Sequence, residues 1–339
     1  MLRVGIIGLG DISKIHIPAI EGYPEAQLVA ACDIDEALRA MVPQIPFYSD
    51  YHQMLKEEQL DCVHICLPHH LHYPVTKAVV EHGVHVLLEK PLAHTLADSR
   101  AIVALEQAHP EVKIGVSLQN RLNETIEELQ SIVQSGRYGK LIGVKGLVAW
   151  QRPKEYYETK PWRSAMVTAG GGVMINQSIH TLDLMQFIAG EIESIRGSID
   201  QLLDYGYDIE DTASAHIKFQ NGATGLFFAT IANDHNDSVE FQVTLEEAQL
   251  TIKDSVLMID QENKQILSED QKLPGTKFYY GASHMKLIAQ FYQQIVMKGD
   301  DYIHANEAQT SIEMIDLIYR SSQTKQTLSF ADQLKRESV

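Results

Sequence analysis

The sequence predicts an α/β protein in two parts: an N-terminal doubly wound parallel sheet, then a C-terminal α+β domain on an open, mostly antiparallel sheet. Three observations predict it. Over the first third, short apolar strand-like runs alternate with amphipathic segments, the pattern of a parallel sheet covered on both faces. From residue 192 to 259 strand signals follow one another with no helix between them, and Asn221-Gly222 is a hairpin signal. The length, 339 residues, exceeds what one ordinary core holds. The expected domains are 1–120 and 121–339, with the final helix able to pack back on the first.

Taken in order, strands are expected over residues 2–7, 27–32, 62–67, 84–88 and 113–116, with a short one near Phe47. Helices fit at 12–22, 73–83 and 95–109. After residue 120 a helix is expected to about 134, a long strand over 138–150, and an aromatic, basic loop over 151–169. A glycine run at 170–172 then leads into a helix reaching 189. Strands follow at 193–202, 212–219, 223–231, 238–245, 249–253 and 256–259. Val239, Phe241, Val243 and Leu245 alternate with polar residues, as one buried face requires. Residues 261–278 read as loop, 283–297 and 306–321 as helices, and the chain from Gln323 as a tail that docks or frays.

Charge and cysteine use narrow the function. Lys and Arg total 28 against 45 Asp and Glu, a net charge of −17, which disfavours nucleic acid and anionic membranes as partners. No apolar run approaches the roughly 18 residues of a membrane span, and the start carries no signal-like segment. Cys32, Cys62 and Cys66 lie in strand-like runs, which fits buried thiols and a cytoplasmic protein.

The first strand runs into Gly8-Leu9-Gly10-Asp11-Ile12-Ser13, a near-match to the dinucleotide fingerprint. Gly8 makes the tight turn, Gly10 lets the backbone approach a pyrophosphate, and the following helix start offers free N–H groups to the anion. Asp33 closes the second strand at the spacing expected of a ribose-binding carboxylate. It repels a 2′-phosphate, and Ile34 rather than Arg follows, so NAD is favoured over NADP. Strand ends in such a sheet face the ligand crevice. They carry Leu67, Pro68, His69 and His72 after one strand, Glu89-Lys90-Pro91 after the next, and Gln119 after the last. The His69, His70, His72 cluster lacks the distant partners of a zinc site, so cofactor contact is favoured and no metal is expected. His64, inside its strand, reads as a core residue, and Lys90 as either a group beside the reacting centre or a solvated strand-end lysine.

Asn176 and His180 are four residues apart, one helical turn, and Asp183 follows near the same face. The glycines before them allow close approach of a ligand, and the turn holds a proton-transfer group beside a polar partner. A helix start with a surface histidine is the plainer alternative. Tyr157, Trp162 and Arg163 of the 151–169 loop, with Arg121, offer aromatic and guanidinium surface suited to sugar-like ligands. Arg152, Lys154, Lys160 and Arg163 are read as solvated charge in preference to an anion site. The run 226–231 is apolar on both faces, which calls for a second subunit over the sheet, in a dimer or tetramer.

Together these segments resemble the Gfo/Idh/MocA oxidoreductases, the family of glucose–fructose oxidoreductase and the inositol dehydrogenases. Gly8-Leu9-Gly10, Asp33, Glu89-Lys90-Pro91 and the stretch from Gly170 through His180 to Asp183 recur in the family's order across essentially the whole chain. The resemblance implies a Rossmann domain and a second domain whose open sheet makes the oligomer interface. It also implies hydride transfer between a nicotinamide and a carbinol carbon of a sugar, an inositol-like polyol or a sugar derivative. By position, Lys90 is similar to the family's catalytic lysine and His180 to its proton-transfer histidine. Asn176 stands where an Asp is common, His69 where Asn often lies beside the nicotinamide ribose, and Leu67 where Thr is common. Asn cannot act as a base, so Asn176 orients the substrate and the acid–base role falls to His180 or to Lys90 with His180. Two rival readings are an NADPH-dependent reductase and a catalytically silent dinucleotide-binding regulator.

Overall fold

The computed structural model describes residues 1–260, 265–271 and 282–331. The chain divides into two units, one of residues 1–119 with 282–309 and the other of 120–281 with 310–339.

The first unit is built on a six-stranded sheet of β1 (Leu2–Ile7), β2 (Ala26–Cys32), β3 (Phe47–Tyr48), β4 (Cys62–Ile65), β5 (His85–Leu88) and β6 (Ile114–Val116). The order is β3-β2-β1-β4-β5-β6 and every pairing is parallel. The order reverses between β1 and β4, which puts the ligand crevice of such a fold beyond their carboxyl ends. Val4, Ile6, Val63, Ile65, Val86 and Leu87 are fully buried, each worth roughly 1.5–3 kcal/mol in transfer from water. The α/β expectation is met. A helix over Tyr51–Glu57, capped by the Asp50 carboxylate accepting from His52 N–H, was not foreseen; its single apolar pair, Met54 and Leu55, is too short a signal.

Late in the chain, helix Ser283–Met297 supplies Phe291 and Tyr292, both buried. A Cβ on Gly115 of β6 would press on the Phe291 ring, so the glycine admits the aromatic. Val116 N–H donates to Ile303 O at 3.0 Å, tying the segment after this helix to β6.

The second unit holds a nine-stranded sheet of β7 (Leu141–Ala149), β8 (Ile192–Asp200), β9 (Thr212–Phe219), β10 (Thr224–Thr230), β11 (Glu240–Leu245), β12 (Gln249–Lys253), β13 (Val256–Ile259), β14 (Gln265–Glu269) and β15 (Leu328–Ser329). The order is β14-β13-β12-β11-β7-β10-β9-β8-β15, antiparallel except for the parallel pair β7 and β10. Asn221-Gly222 does turn β9 into β10, with Gly222 at φ 88°. One expectation needs correction. Residues 265–269, read as loop within the polar stretch 261–278, pair with β13, so the partner strand decides their structure. Of that loop, 261–264 and 272–278 lie outside the described residues. Of the tail expected to dock or fray, Leu328 and Ser329 dock by pairing with β8.

Small residues let helices onto this sheet. Gly146 faces Thr181 and Met185 of helix Ile179–Ala189, and Gly197 faces Ile318 of helix Ala305–Thr324. Ser321 and Ser322 Oγ of the latter accept from Gly197 and Ile199 N–H at 2.9 and 3.1 Å. On β10 the alternation leaves Leu226 and Phe228 pointing outward, 52% and 37% exposed.

Candidate active site

Each unit presents its own set of candidate residues. In the first, the turn after β1 requires glycine at position 8: its φ is +95°, and a Cβ there would run into the Cys66 carbonyl oxygen. Leu9 N–H donates to Asp33 Oδ2 at 2.7 Å and Asp35 N–H to Asp33 Oδ1 at 2.9 Å. The carboxylate is thereby aimed by the same turn that follows β1, with lone pairs left over. Ser13 Oγ donates to Gly10 O at 2.7 Å and closes the turn. Helix Ser13–Glu21 then begins at Ile12 with no side-chain cap, so its first N–H groups remain available to an anion. Asp11 is exposed and 3.8 Å from Lys14. These features fit a dinucleotide: a glycine-only approach, an uncapped helix start and an oriented carboxylate. Ile34, 91% exposed beside Asp33, adds apolar surface.

At the ends of β4 and β5 the candidates divide. Leu67, Pro68 and Lys90 are half-buried, while His69 and Gln119 are buried. His72 is buried, and its two ring nitrogens lie 2.7 Å from Pro91 O and 2.9 Å from Leu67 O. It therefore ties the end of β4 to the Glu89-Lys90-Pro91 turn; burial holds its imidazole below the ordinary range. The peptide between Lys90 and Pro91 is cis. Glu89 is buried, 2.9 Å from His16 Nε2. Burial pushes its carboxyl up, but the His16 hydrogen bond and the charges of His16, His284 and Lys90 outweigh that and hold it at about 2. His64, read as a core residue, is buried and bonded at both ring nitrogens. Among the described residues no group of three or more His, Cys, Asp or Glu is arranged to hold a metal ion.

In the second unit the glycine run is a clamped turn. Gly170 and Gly171 take φ of 78° and 147°, and a Cβ on Gly172 would strike the backbone carbonyl of Glu210. The Glu210 carboxylate accepts from Gly172 N–H at 2.7 Å, from Met174 N–H at 2.9 Å and from the Tyr319 hydroxyl. Burial raises the Glu210 carboxyl against these bonds. This residue was missed from sequence. The available signal was the pair Glu210-Asp211, two carboxylates abutting the buried strand β9; Asp211 likewise accepts from Leu202 and Leu203 N–H.

The helix expected from the glycines to residue 189 is in fact two, Val173–Asn176 and Ile179–Ala189. Ser178 makes the break: its N–H and its Oγ both donate to Val173 O, at 3.0 and 2.9 Å, which widens the turn. Asn176 closes the first helix and His180 lies in the first turn of the second, so the four-residue spacing does not sit on one continuous helix. Both are half-buried.

Arg121 and Asp183 face each other. Arg121 Nε and Nη2 donate to the two carboxylate oxygens at 2.8 and 2.7 Å, with side chains 4% and 2% exposed. Tyr157 is 2% exposed, with its ring against Tyr156 and Tyr207 at 5.1 and 5.2 Å. Trp162 and Arg163 are half-buried; Arg163 stacks on Tyr156 at 4.3 Å, and Arg152 lies over Trp150 at 4.8 Å and over Tyr156 at 5.4 Å. Both arginines of the expected solvated cluster are thus stacked on aromatic rings.

Comparison with known proteins agrees with this organisation. A model of an oxidoreductase family with an NAD-binding Rossmann fold, GFO_IDH_MocA, matches residues 2–117, and the model of the GFO/IDH/MocA C-terminal domain matches 126–251. A 1-carboxy-3-chloro-3,4-dihydroxycyclohexa-1,5-diene dehydrogenase of Comamonas testosteroni is 28% identical over 70% of this chain and 60% of its own length. A myo-inositol 2-dehydrogenase of Thermotoga maritima is 27% identical over 66% of this chain and 67% of its own. The chain thus spans about two thirds or less of these relatives. Among solved structures, the WlbA dehydrogenase of Bordetella pertussis in complex with NADH and UDP-GlcNAcA superposes with a TM-score of 0.84 at 25% identity, over 97% of this chain and 98% of that one.

Proposed function

From the chain's membership of the GFO/IDH/MocA oxidoreductase family, we propose that it is an NAD-dependent dehydrogenase acting on a CH–OH group of a sugar, polyol or sugar derivative. The observation that carries the proposal is the turn at Gly8: the glycine no other residue can replace, the uncapped helix start and the Asp33 carboxylate held by Leu9 N–H. Gly8, Gly10, Asp11 and Ile12 would hold the pyrophosphate, and Asp33 the ribose hydroxyls, where its charge opposes a 2′-phosphate. Leu67, Pro68, His69 and Gln119 would line the nicotinamide side, with His72 and Glu89 supporting it from within. NAD, when bound, supplies the hydride acceptor.

The chain's own residues handle the proton and the developing charge. His180 accepts the hydroxyl proton, Lys90 stabilises negative charge on the substrate oxygen, and Asn176 orients the hydroxyl. Trp162 and Arg163 contact the substrate, while Tyr157 and the Arg121–Asp183 pair support the elements that carry these groups. Leu226 and Phe228, exposed on β10, are covered by a second copy of the chain in a homo-oligomer. Among the described residues no helix is long and apolar enough to cross a membrane. The buried, unbridged cysteines fit a reducing compartment, and we place the protein in the cytoplasm.

The test is NAD⁺ reduction against inositols, aldoses, sugar acids and nucleotide sugars, with Lys90→Met beside the unmodified chain. Activity lost by at least about a hundredfold in Lys90→Met with NADH affinity kept is the expected result. Equal turnover in the two proteins refutes the role of Lys90, and tighter binding of NADPH than NADH refutes the role of Asp33.

A further inference from the structure

The first unit buries a row of four polar side chains, three of which the proposed reaction leaves idle. Tyr292 Oη lies 2.7 Å from His64 Nε2, His64 Nδ1 lies 2.7 Å from His16 Nδ1, and His16 Nε2 lies 2.9 Å from Glu89 Oε1. They come from helix Ser283–Met297, β4, helix Ser13–Glu21 and the residue after β5. Tyr292, His64 and His16 are 0% exposed and Glu89 is 5% exposed. Such a row is costly unless every member is bonded, and it ends at the residue next to Lys90.

The hydrogens in the row follow from chemistry. Glu89 is a carboxylate and can only accept, so His16 Nε2 carries a hydrogen and donates it. Burial, and then His16, hold His64 well below the ordinary imidazole range, so it carries one ring hydrogen. Two arrangements remain. In the first, the Tyr292 hydroxyl donates to His64 Nε2 and His64 Nδ1–H donates to His16 Nδ1. In the second, one proton richer, His16 carries both ring hydrogens: its Nδ1–H donates to His64 Nδ1, and His64 Nε2–H donates to the Tyr292 oxygen. No heavy atom moves between them, and in both Glu89 receives the same N–H.

We infer that His16, His64 and Tyr292 are positioning residues for Lys90: they hold the Glu89 carboxylate in one orientation whether or not the row carries the extra proton, and in the proton-poorer arrangement its uncompensated charge keeps the neighbouring Lys90 amine cationic. Its use in catalysis rests on the role proposed for Lys90; the claim itself concerns the amine. The other titratable groups around the row are neutral. Cys62 and Cys66 on β4 are pushed up by burial, and His72 is pushed down by it. Burial likewise lowers His284, its ring 6.3 Å from that of His16, to about 4. Tyr23, its ring 5.3 Å from that of Tyr292, is raised by burial. With the row in its proton-poorer arrangement, Glu89 is left as the negative charge of the group.

The experiment measures acetylation of Lys90 by acetic anhydride against pH, peptide by peptide, in the full chain, with the half-exposed Lys77 as internal standard. The Lys90 midpoint is expected to fall by roughly one pH unit in Glu89→Gln, and by less in Tyr292→Phe, while Lys77 stays put. An unchanged Lys90 midpoint in Glu89→Gln overturns the inference. Should that variant not fold, nitrogen NMR of the unmodified chain decides: hydrogen on His16 Nε2 and a single ring hydrogen on His64 are expected, and a bare His16 Nε2 overturns the inference. Neither readout needs substrate. A shifted Lys90 midpoint in a protein that oxidises no sugar would leave this inference standing and refute the dehydrogenase proposal.

Discussion

Glu210→Gln isolates the clamp on the glycine turn. The two oxygens of Glu210 accept from Met174 N–H on one side and from Gly172 N–H and the Tyr319 hydroxyl on the other. An amide offers one oxygen and one NH₂, so one backbone N–H meets a donor instead of an acceptor. A charge-assisted bond is worth about 1.5–3 kcal/mol, and a buried donor left unmatched costs about 1–3 kcal/mol more. Against this, Gln avoids burying the charge that raises the carboxyl, an offset of the same order. The losses exceed the offset because two bonds of the site are spoiled and one burial penalty is removed; a net loss of about 2 kcal/mol is expected. For a unit of this size that lowers the melting temperature by roughly 4–8 °C. Calorimetry of Glu210→Gln beside Tyr319→Phe, which removes one donor and leaves both backbone bonds, provides the comparison. Turnover should fall in Glu210→Gln, because Asn176 and His180 follow directly from the clamped turn, while NADH affinity stays. An unshifted melting temperature with full turnover would refute the clamp.

Three further outcomes are expected. Asp183→Asn leaves Arg121 buried without its bidentate partner and should cost about 3–5 kcal/mol, whereas Arg121→Met with Asp183→Leu should cost far less; denaturant melts compare them, and equal costs would argue against a buried pair. His284 is held at about 4, below the ordinary imidazole value of 6.5, with burial the largest cause. Below pH 6.5 the unfolded chain binds a proton that the folded chain refuses, so stability falls as pH drops from 6.5 to about 4, by about 3 kcal/mol at most. His284→Gln should make the profile shallower in that window but not flat, because His64, His72, His85 and His94, also lowered by burial, act in the same direction; Glu89, depressed to about 2, acts only lower, from 4.5 down. Finally, sedimentation of the unmodified chain at micromolar concentration should show a dimer or larger species and Leu226→Lys a monomer, and a monomeric unmodified chain would remove the covered-sheet proposal.

The legible parts of this molecule were those encoded by neighbours in sequence. Most strands of the parallel sheet are apolar runs bounded by turn residues, and the Gly8 turn shows itself as glycines at the end of the first run, with Asp33 at a spacing that is itself a signal; that the Cys66 carbonyl excludes a side chain there is not visible in the sequence. What escaped depends on residues far apart. Glu210 sits 38 positions from Gly172. Arg121 and Asp183, each read as facing a ligand, lie 62 positions apart and meet each other. Periodicity also carried the helix straight through Ser178, because a hydroxyl competing for a backbone carbonyl leaves no mark on hydropathy. Strand β14 escaped because its apolar pair, Ile266 and Leu267, is short and set in a polar stretch, and its edge pairing decides its structure.

The first unit is not contiguous, and synthesis must reckon with that. His64 and the hydroxyl that completes its bonding are 228 positions apart. At ribosomal speeds of about 5–20 residues per second, roughly 10–45 s separate their appearance. Through that interval the nascent sheet lacks Phe291 over Gly115 and the strap at Ile303, and two imidazoles wait in an unfinished interior. The N-terminal unit is therefore begun first but cannot close until helix Ser283–Met297 and the strap at Ile303 have been made. A gene fragment ending at residue 119 would encode an opened sheet rather than a free-standing cofactor module.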